Sequence, residues 1–544
     1  MTVADLVVKC LEAEGVRYVF GVPGEENEDL LFALDSSRIR FVPTRHEQGA
    51  AFMADVWGRL AGQAGVCLST LGPGATNLVT GVADAYLDKS PIVAITGQAS
   101  RARIHHESHQ ALDILALFRP ITKWNAAITT PEVVPEIVRK AFKIAESEKP
   151  GPTQIELPED VAGLPASGAP IAPVRVRRPD PDTQAITQAA DLLRRAQRPL
   201  IIAGNGAVRK PATALQLREL VARHHLPVVN TFMGQGAVSD DAPESLCTIG
   251  FGFRDLVMDA VDQADLILTV GYDLAEYAPR AWNTRNDKTI IHIDFIPAEV
   301  DAYYQPAVEL VADIAATLRA LLQEVGSGPL RHDPSWYQPV RRRILDDIKS
   351  YDLKEGEPFT VPGVLNILRE VMGEEDLLIS DVGAHKLWIA RNFLVNCPNG
   401  CLISNGLASM GIALPGAVAA ALHDPDRRIV AAMGDGGFLM NSQELETAKR
   451  LGVAFTTLIF NDNDYGLISW KQHRARGRAT GTRLTNPDFV AYAQSFGIRG
   501  FRPKTLAEVR RDLADAIGSR ALAVVEIPVD AGVNDRLIRT AAQP

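Results

Sequence analysis

The sequence predicts an α/β protein built from three doubly wound parallel-sheet domains, and three observations lead there. Short β-rich apolar runs, at 16–22, 65–70 and 91–96 among others, alternate with longer helical-looking stretches, the pattern of strand–helix crossovers. The 544 residues exceed one ordinary domain, and at about 100–200 residues per domain they suggest about three. Two proline- and glycine-rich stretches divide the chain: 150–182, with PEDVAGLPASGAPIAP and VRVRRPDPD, and GSGPLRHDPSWYQP after residue 325. Both read as extended connections over the surface. The expected domains are therefore 1–165, 185–325 and 360–544.

In the second segment, PLIIAGNGAV is a strand entering a glycine turn, followed by ADLILTVGYD and KTIIHIDF. In the third, DLLISDVGAH, RRIVAAMGDGG, VAFTTLIFND and ALAVVEIPVD each read as a strand meeting a turn. The first and third segments end strands in glycine-bearing turns that launch helices. In open α/β sheets such turns are where ligands sit, so one composite site is expected.

Composition narrows the function classes. With 46% hydrophobic and 22% charged residues the chain is neither disordered nor fibrous. A formal charge of -10 argues against nucleic acid as partner but leaves a small anionic ligand open, because local charge decides that. The opening Met1-Thr2-Val3-Ala4-Asp5 runs into Lys9 and Glu12 without a long apolar core, and no stretch approaches the ~18 apolar residues of a membrane span. No membrane association and a cytoplasmic location are expected. Cys10, Cys67, Cys247, Cys397 and Cys401 are few and scattered, which fits reduced thiols rather than disulfides or a metal site.

The most specific motif is Met433-Gly434-Asp435-Gly436-Gly437, followed by Asp462 in Ile459-Phe460-Asn461-Asp462-Asn463-Asp464-Tyr465-Gly466. A strand over 428–433 delivers Asp435, and the glycines let the backbone approach a bulky anion. Asn441 with Glu444 three residues later reads as a capping box, placing a helix start just beyond the turn. A second strand returns Asp462 to the same sheet edge. Two carboxylates with carbonyl and phosphate oxygens make a hard-oxygen shell suited to Mg²⁺ or Ca²⁺. Gly-Asp-Gly alone is also how many α/β folds turn a corner; the second acidic element shifts the balance.

GDGGFLMNSQELETAKRLGVAFTTLIFNDNDYG resembles the signature of thiamine-diphosphate enzymes. The resemblance implies Asp435 and Asp462 as side-chain metal ligands, Asp464 as a carbonyl ligand, and Gly434, Gly436, Gly437 and Tyr465 at the diphosphate. Gly383, Ala384 and His385 match the turn on its other side. Asp462 stands where most members carry Asn, which keeps an oxygen ligand. RHEQGAAFMADVWGRLAGQAGVCLSTLGPGATNLVTG resembles the same family and makes Glu47 the cofactor-activating acid. The thiazolium C2 proton is too weakly acidic to leave unaided, and a partly buried carboxyl bonded to N1′ of the aminopyrimidine promotes its removal. In SNGLASMG, Ala408 matches the carbonyl that accepts from the 4′-amino group, and Met410 the apolar wedge beneath the thiazolium. The first and third segments thus serve one cofactor, which in the family comes from two subunits, implying a homodimer or homotetramer.

Over the whole chain the resemblance is to acetolactate synthases that work without flavin, with GYDLAEYAPRAWN and DVGAHKLWIAR as discriminating stretches. It implies thiamine diphosphate and Mg²⁺ as cofactors and a 2-keto acid as substrate, two pyruvates giving 2-acetolactate and carbon dioxide. Gly204-Asn205-Gly206 is a weak dinucleotide cue, and FAD is not expected. One departure keeps a non-ligating decarboxylase, or a carboligase with another acceptor, open. Gly21-Val22-Pro23-Gly24 is followed by Glu25-Glu26 where those synthases have Ala-Lys, and Glu26 would repel a second keto acid or else face solvent. Gln110 matches a glutamine near the reacting carbon. His105, His106 and His109 suit proton transfer or plain polar surface, and Trp470 and Lys471 occupy the segment expected to set substrate size.

Overall fold

A computed structural model of the chain describes residues 1–174, 176–328 and 330–538. It contains three six-stranded sheets, every neighbouring pair parallel. Central strands buried on both faces, such as Gly65–Ser69, Pro199–Ala203 and Ile429–Gly434, suit a parallel sheet flanked by helices and are rich in apolar residues for that reason.

The first sheet has the order β2-β1-β3-β4-β6-β5, from β1 (Tyr18–Gly21), β2 (Arg40–Pro43), β3 (Gly65–Ser69), β4 (Ile92–Gln98), β5 (Trp124–Ala127) and β6 (Thr153–Pro158). The second runs β12-β11-β10-β7-β8-β9, from β7 (Pro199–Ala203), β8 (Val228–Asn230), β9 (Ser245–Thr248), β10 (Leu266–Val270), β11 (Thr289–Asp294) and β12 (Val308–Val311). The third runs β14-β13-β15-β16-β18-β17, from β13 (Leu377–Ser380), β14 (Cys401–Ile403), β15 (Ile429–Gly434), β16 (Thr456–Asn461), β17 (Arg499–Phe501) and β18 (Ala523–Pro528). Strand order reverses between β1 and β3, between β7 and β10, and between β13 and β15, and at such switch points the carboxyl ends of parallel strands leave a crevice.

One expected connection is partly a strand. Within the proline-dense stretch 150–182, β6 is buried along its whole length and pairs with β4 and β5. Its prolines bracket the run TQIEL, whose polar Thr153, Gln154 and Glu156 are buried with it, instead of interrupting it, so only the stretch beyond the short helix Glu159–Ala162 is extended.

The chain divides into two compact units. One comprises Met1–Val176, Gly406–Asp426 and Phe438–Ala454; the other comprises Arg177–Asn405, Arg427–Gly437 and the chain from Phe455. In the first unit the helix Glu47–Ala61 packs on the helices Pro73–Asp88 and Ala413–His423. His46 caps it, its Nδ1 accepting the Gln48 N–H at 3.1 Å, and Gly62 ends it at φ +63°. Small residues permit the close approach: a Cβ at Gly81 would lie 2.5 Å from the Ala51 methyl.

Candidate active site

In the second unit, the turns after β13 and β15 face each other across the switch point of the third sheet. Asp435 is the first residue of a helix, Asp435–Asn441, that continues directly from β15. The expected capping box does not form: the next helix, Glu444–Leu451, has Gln443 at its cap with no side-chain bond, and Glu444 is spent elsewhere. Asn441 donates instead to Gly411 O at 3.0 Å.

Asp435 is 1% exposed and accepts from Asn486 Nδ2 at 2.6 Å. Asn486 also donates to Asn461 and Asn463 at 3.2 and 3.1 Å, tying the loop beyond β16 to Asp435. Asp462 accepts the Asp464 N–H at 3.1 Å and lies against Gly466. Burial and then the negative charge of Asp435 push Asp462 up to about 7, and burial raises Asp435 as well. Two carboxylates that disfavour each other's ionisation suit a cation. Buried acceptors remain unspent: Asp464 Oδ1 and Asn486 Oδ1 have no hydrogen-bond partner among the described residues. Among the described residues no three His, Cys, Asp or Glu side chains cluster as a metal site. Asp435 and Asp462 would hold a metal only with further oxygen donors, such as a backbone carbonyl and phosphate oxygens.

The opposite turn carries Gly383, Ala384 and His385. His385 opens the helix Ala384–Asn392, is 5% exposed, and is pushed down to about 3 by burial, so its ring is neutral. Its Nε2 has no partner among the described residues. A Cβ at Gly383 would lie 2.8 Å from that ring and one at Gly434 3.3 Å. At Gly436 it would meet the Tyr465 ring at 2.8 Å, and at Gly437 the Asp381 carboxylate at 2.5 Å. Side chains at these positions would press on the His385 ring, the Tyr465 ring and the Asp381 carboxylate.

In the first unit, Glu47 is 8% exposed at the start of its helix, and Asn77 Nδ2 donates to its Oε2 at 3.0 Å. A Cβ at Gly74 would stand 3.3 Å from the other oxygen. Met410 is half-buried, and Ala408 holds φ +59° in a loop fixed by two carboxylates. Asp88 accepts the Gly406 N–H at 2.6 Å and Asp84 the Ser409 N–H at 3.2 Å. Arg59 joins both acids to Asp55, at 2.5 Å to Asp88, 3.7 Å to Asp84 and 2.8 Å to Asp55, all out of solvent. Sequence reasoning missed Asn77, Asn486 and this network, and the long-range partners of Glu444, because these contacts are distant in the chain.

Glu26 turns toward the sheet edge instead of solvent: Thr70 Oγ1 donates to its carboxylate at 2.5 Å, whereas Glu25 is exposed. Thr70 in turn lies 2.9 Å from a Cβ built on Gly74, beside Glu47. Gln110 is exposed at φ +57°, its carbonyl 2.6 Å from a Cβ on Gly72. His105, His106 and His109 are exposed, the first two with ring nitrogens 3.0 Å apart. Trp470 is anchored in the hydrophobic core, its indole donating to Asp535 at 2.9 Å, while Lys471 is exposed.

At the switch point of the second sheet the Gly204-Asn205-Gly206 turn is already engaged. Glu276, after β10, accepts the Asn205 N–H at 3.0 Å, the Asp273 N–H at 3.1 Å and the Thr231 hydroxyl. A Cβ on Gly206 would lie 2.6 Å from the Gly271 Cα. All five cysteines are buried and free, and among the described residues no helix is long and apolar enough to cross a membrane.

Three family descriptions match the chain: the thiamine pyrophosphate enzyme N-terminal TPP binding domain over residues 1–117, the central domain over 186–321, and the C-terminal TPP binding domain over 381–527. An acetolactate synthase of Bacillus subtilis (strain 168) is 36% identical over 98% of this chain and 94% of its own length. A catabolic acetolactate synthase of Raoultella terrigena is 35% identical, over 97% and 95% of the two chains. A probable acetolactate synthase large subunit of Methanocaldococcus jannaschii is 35% identical, over 97% and 92%.

Proposed function

The chain belongs to the thiamine pyrophosphate enzymes, and from that premise we propose that it decarboxylates pyruvate and joins the remaining two-carbon fragment to a second pyruvate, giving 2-acetolactate and carbon dioxide. The observation that carries the reading is the buried Glu47 carboxyl at a helix start, oriented by Asn77. Full-length similarity to acetolactate synthases supports the substrate.

Thiamine diphosphate, when bound, would supply a nucleophilic carbon and an electron sink for decarboxylation. Glu47 holds a proton at N1′, a task suited to a carboxyl shielded from water. Asp435, Asp462 and the Asp464 carbonyl would hold Mg²⁺, and the proximity of the Asp435 and Asp462 carboxylates, both raised by burial, supports that assignment. Gly383, Ala384, His385, Gly434, Gly436, Gly437 and Tyr465 line the diphosphate. Ala408 and Met410 would support the two rings, and Gln110 would act near the reacting carbon. The domain limits 1–165, 185–325 and 360–544, assembly as a homodimer or homotetramer, and a cytoplasmic location belong to the same proposal; five free cysteines support the last.

The central domain works without FAD. Glu276 occupies the backbone donors that a dinucleotide phosphate would need, and the Gly206–Gly271 contact closes the crevice.

A second reading, in which the acceptor lacks a carboxylate or ligation does not follow, is favoured by Glu26, whose carboxylate is tied to Thr70 at the sheet edge. Products formed from pyruvate with thiamine diphosphate and Mg²⁺ separate the two. Acetolactate, or acetoin after acid treatment, is expected; acetaldehyde with carbon dioxide alone would replace the leading reading.

A further inference from the structure

Glu444 plays no part in the metal and diphosphate chemistry assigned above, yet it is 0% exposed. Its Oε1 accepts the backbone N–H groups of Arg45 at 3.0 Å and His46 at 3.1 Å, the two residues immediately before Glu47. Its Oε2 accepts the Thr447 hydroxyl at 2.6 Å. A Cβ at Gly49 would stand 2.8 Å from Glu444 Oε1, so a side chain there would press on the Glu444 carboxylate. One turn earlier, Asn441 Nδ2 donates to Gln48 Oε1 at 3.2 Å.

The two residues before Glu47 and the two after it are thus all engaged by Asn441 and Glu444, while the Glu47 carboxylate itself is left to Asn77. Burying a carboxylate is costly unless hydrogen bonds replace its water. Here the replacement bonds come from amides at a helix entry, where no intrahelical acceptor serves them. That arrangement fixes the path by which the chain enters the helix, and hence the direction in which its first side chain points.

We propose that Glu444 is a positioning residue for Glu47: it clamps the Arg45–His46 turn and so holds the Glu47 carboxyl in the orientation that bonds N1′ of the cofactor. The proposal rests on the thiamine diphosphate reading above.

The test compares wild type, Glu444→Ala, Glu444→Gln, Thr447→Val and Glu47→Gln with two readouts. The first is amide hydrogen exchange at Arg45 and His46 in the cofactor-free protein; the second is the rate at which bound thiamine diphosphate exchanges its C2 proton. Glu444→Ala should lose protection at both amides and slow C2 exchange by roughly tenfold or more, the scale of a misplaced reacting group. Glu444→Gln keeps an oxygen at Oε1 and should rescue most of both. If Glu444→Ala does not fold, Thr447→Val, which releases the other oxygen, should show the same two losses at smaller amplitude. Unchanged protection or unchanged C2 exchange in the Ala or Val variant would overturn the proposal, as would a Gln variant no better than Ala. If wild type exchanges C2 no faster than Glu47→Gln, the cofactor reading itself fails, whereas the amide protection still reports on the clamp.

Discussion

Glu47 combines three local conditions: a helix start, burial to 8% exposure and, among the described residues, a single side-chain donor, Asn77. Glu47→Gln preserves shape and removes the transferable proton, so turnover with pyruvate should fall by about 10²-fold or more, the scale of losing a positioned proton-transfer group. Steady-state assay of carbon dioxide release checks this, and a variant within a few-fold of wild type would remove Glu47 from the chemistry. At this scale the sequence was informative wherever one stretch of chain holds the whole arrangement. Asp435 leaves a strand between glycines, and Asp462 ends the next strand in the same sheet. Glu444 was misread as half of a capping box for the opposite reason. The amides it serves are 398 and 399 residues away, and no local pattern reveals them.

At the scale of elements, the Gly406–Ser409 loop is held by carboxylates of the helix Pro73–Asp88, which share Arg59 with Asp55. Arg59→Met would leave three buried acids without their guanidinium. Breaking a buried pair costs about 3–5 kcal/mol, so a drop in melting temperature of about 3–4 °C is expected by calorimetry. A change within about 2 °C would mean that the acids share their charge differently.

The turn after β7 carries its own test. Burial raises Glu276 from 4.5 to about 7. The folded protein therefore holds that proton more tightly than the unfolded chain does. Stability is complete below about pH 4.5, is lost as pH rises to about 7, and changes no further above it, by at most ~3 kcal/mol. Glu276→Gln should flatten the decline in melting temperature between pH 5 and pH 7.5, and parallel profiles for variant and wild type would contradict this. The strands themselves were legible, because each is a short apolar run closed by a turn. β6 was hidden by prolines at its borders, where they do not interrupt the ladder.

For the whole molecule, light scattering should find two or four copies; a monomer that retains activity would overturn the shared-cofactor reading. The purified protein should be colourless, with activity unaffected by added FAD, and a yellow protein would show that Glu276 does not keep the central crevice closed. Both expectations were open to sequence reasoning only through resemblance, since neither a quaternary contact nor an occupied crevice leaves a periodic trace in the chain.

The division into two interleaved units also bears on synthesis. The first unit takes its last pieces from Gly406–Asp426 and Phe438–Ala454, about 230 residues after its first segment ends at Val176. At ribosomal rates of about 5–20 residues per second, that segment waits roughly 10–50 s before the helix Ala413–His423, which packs on Glu47–Ala61, emerges. Until then the apolar flank of that helix is bare, a ready target for a holding chaperone. An isolated 1–176 fragment should therefore be recovered aggregated or chaperone-bound, and adding 406–454 should bring it into solution.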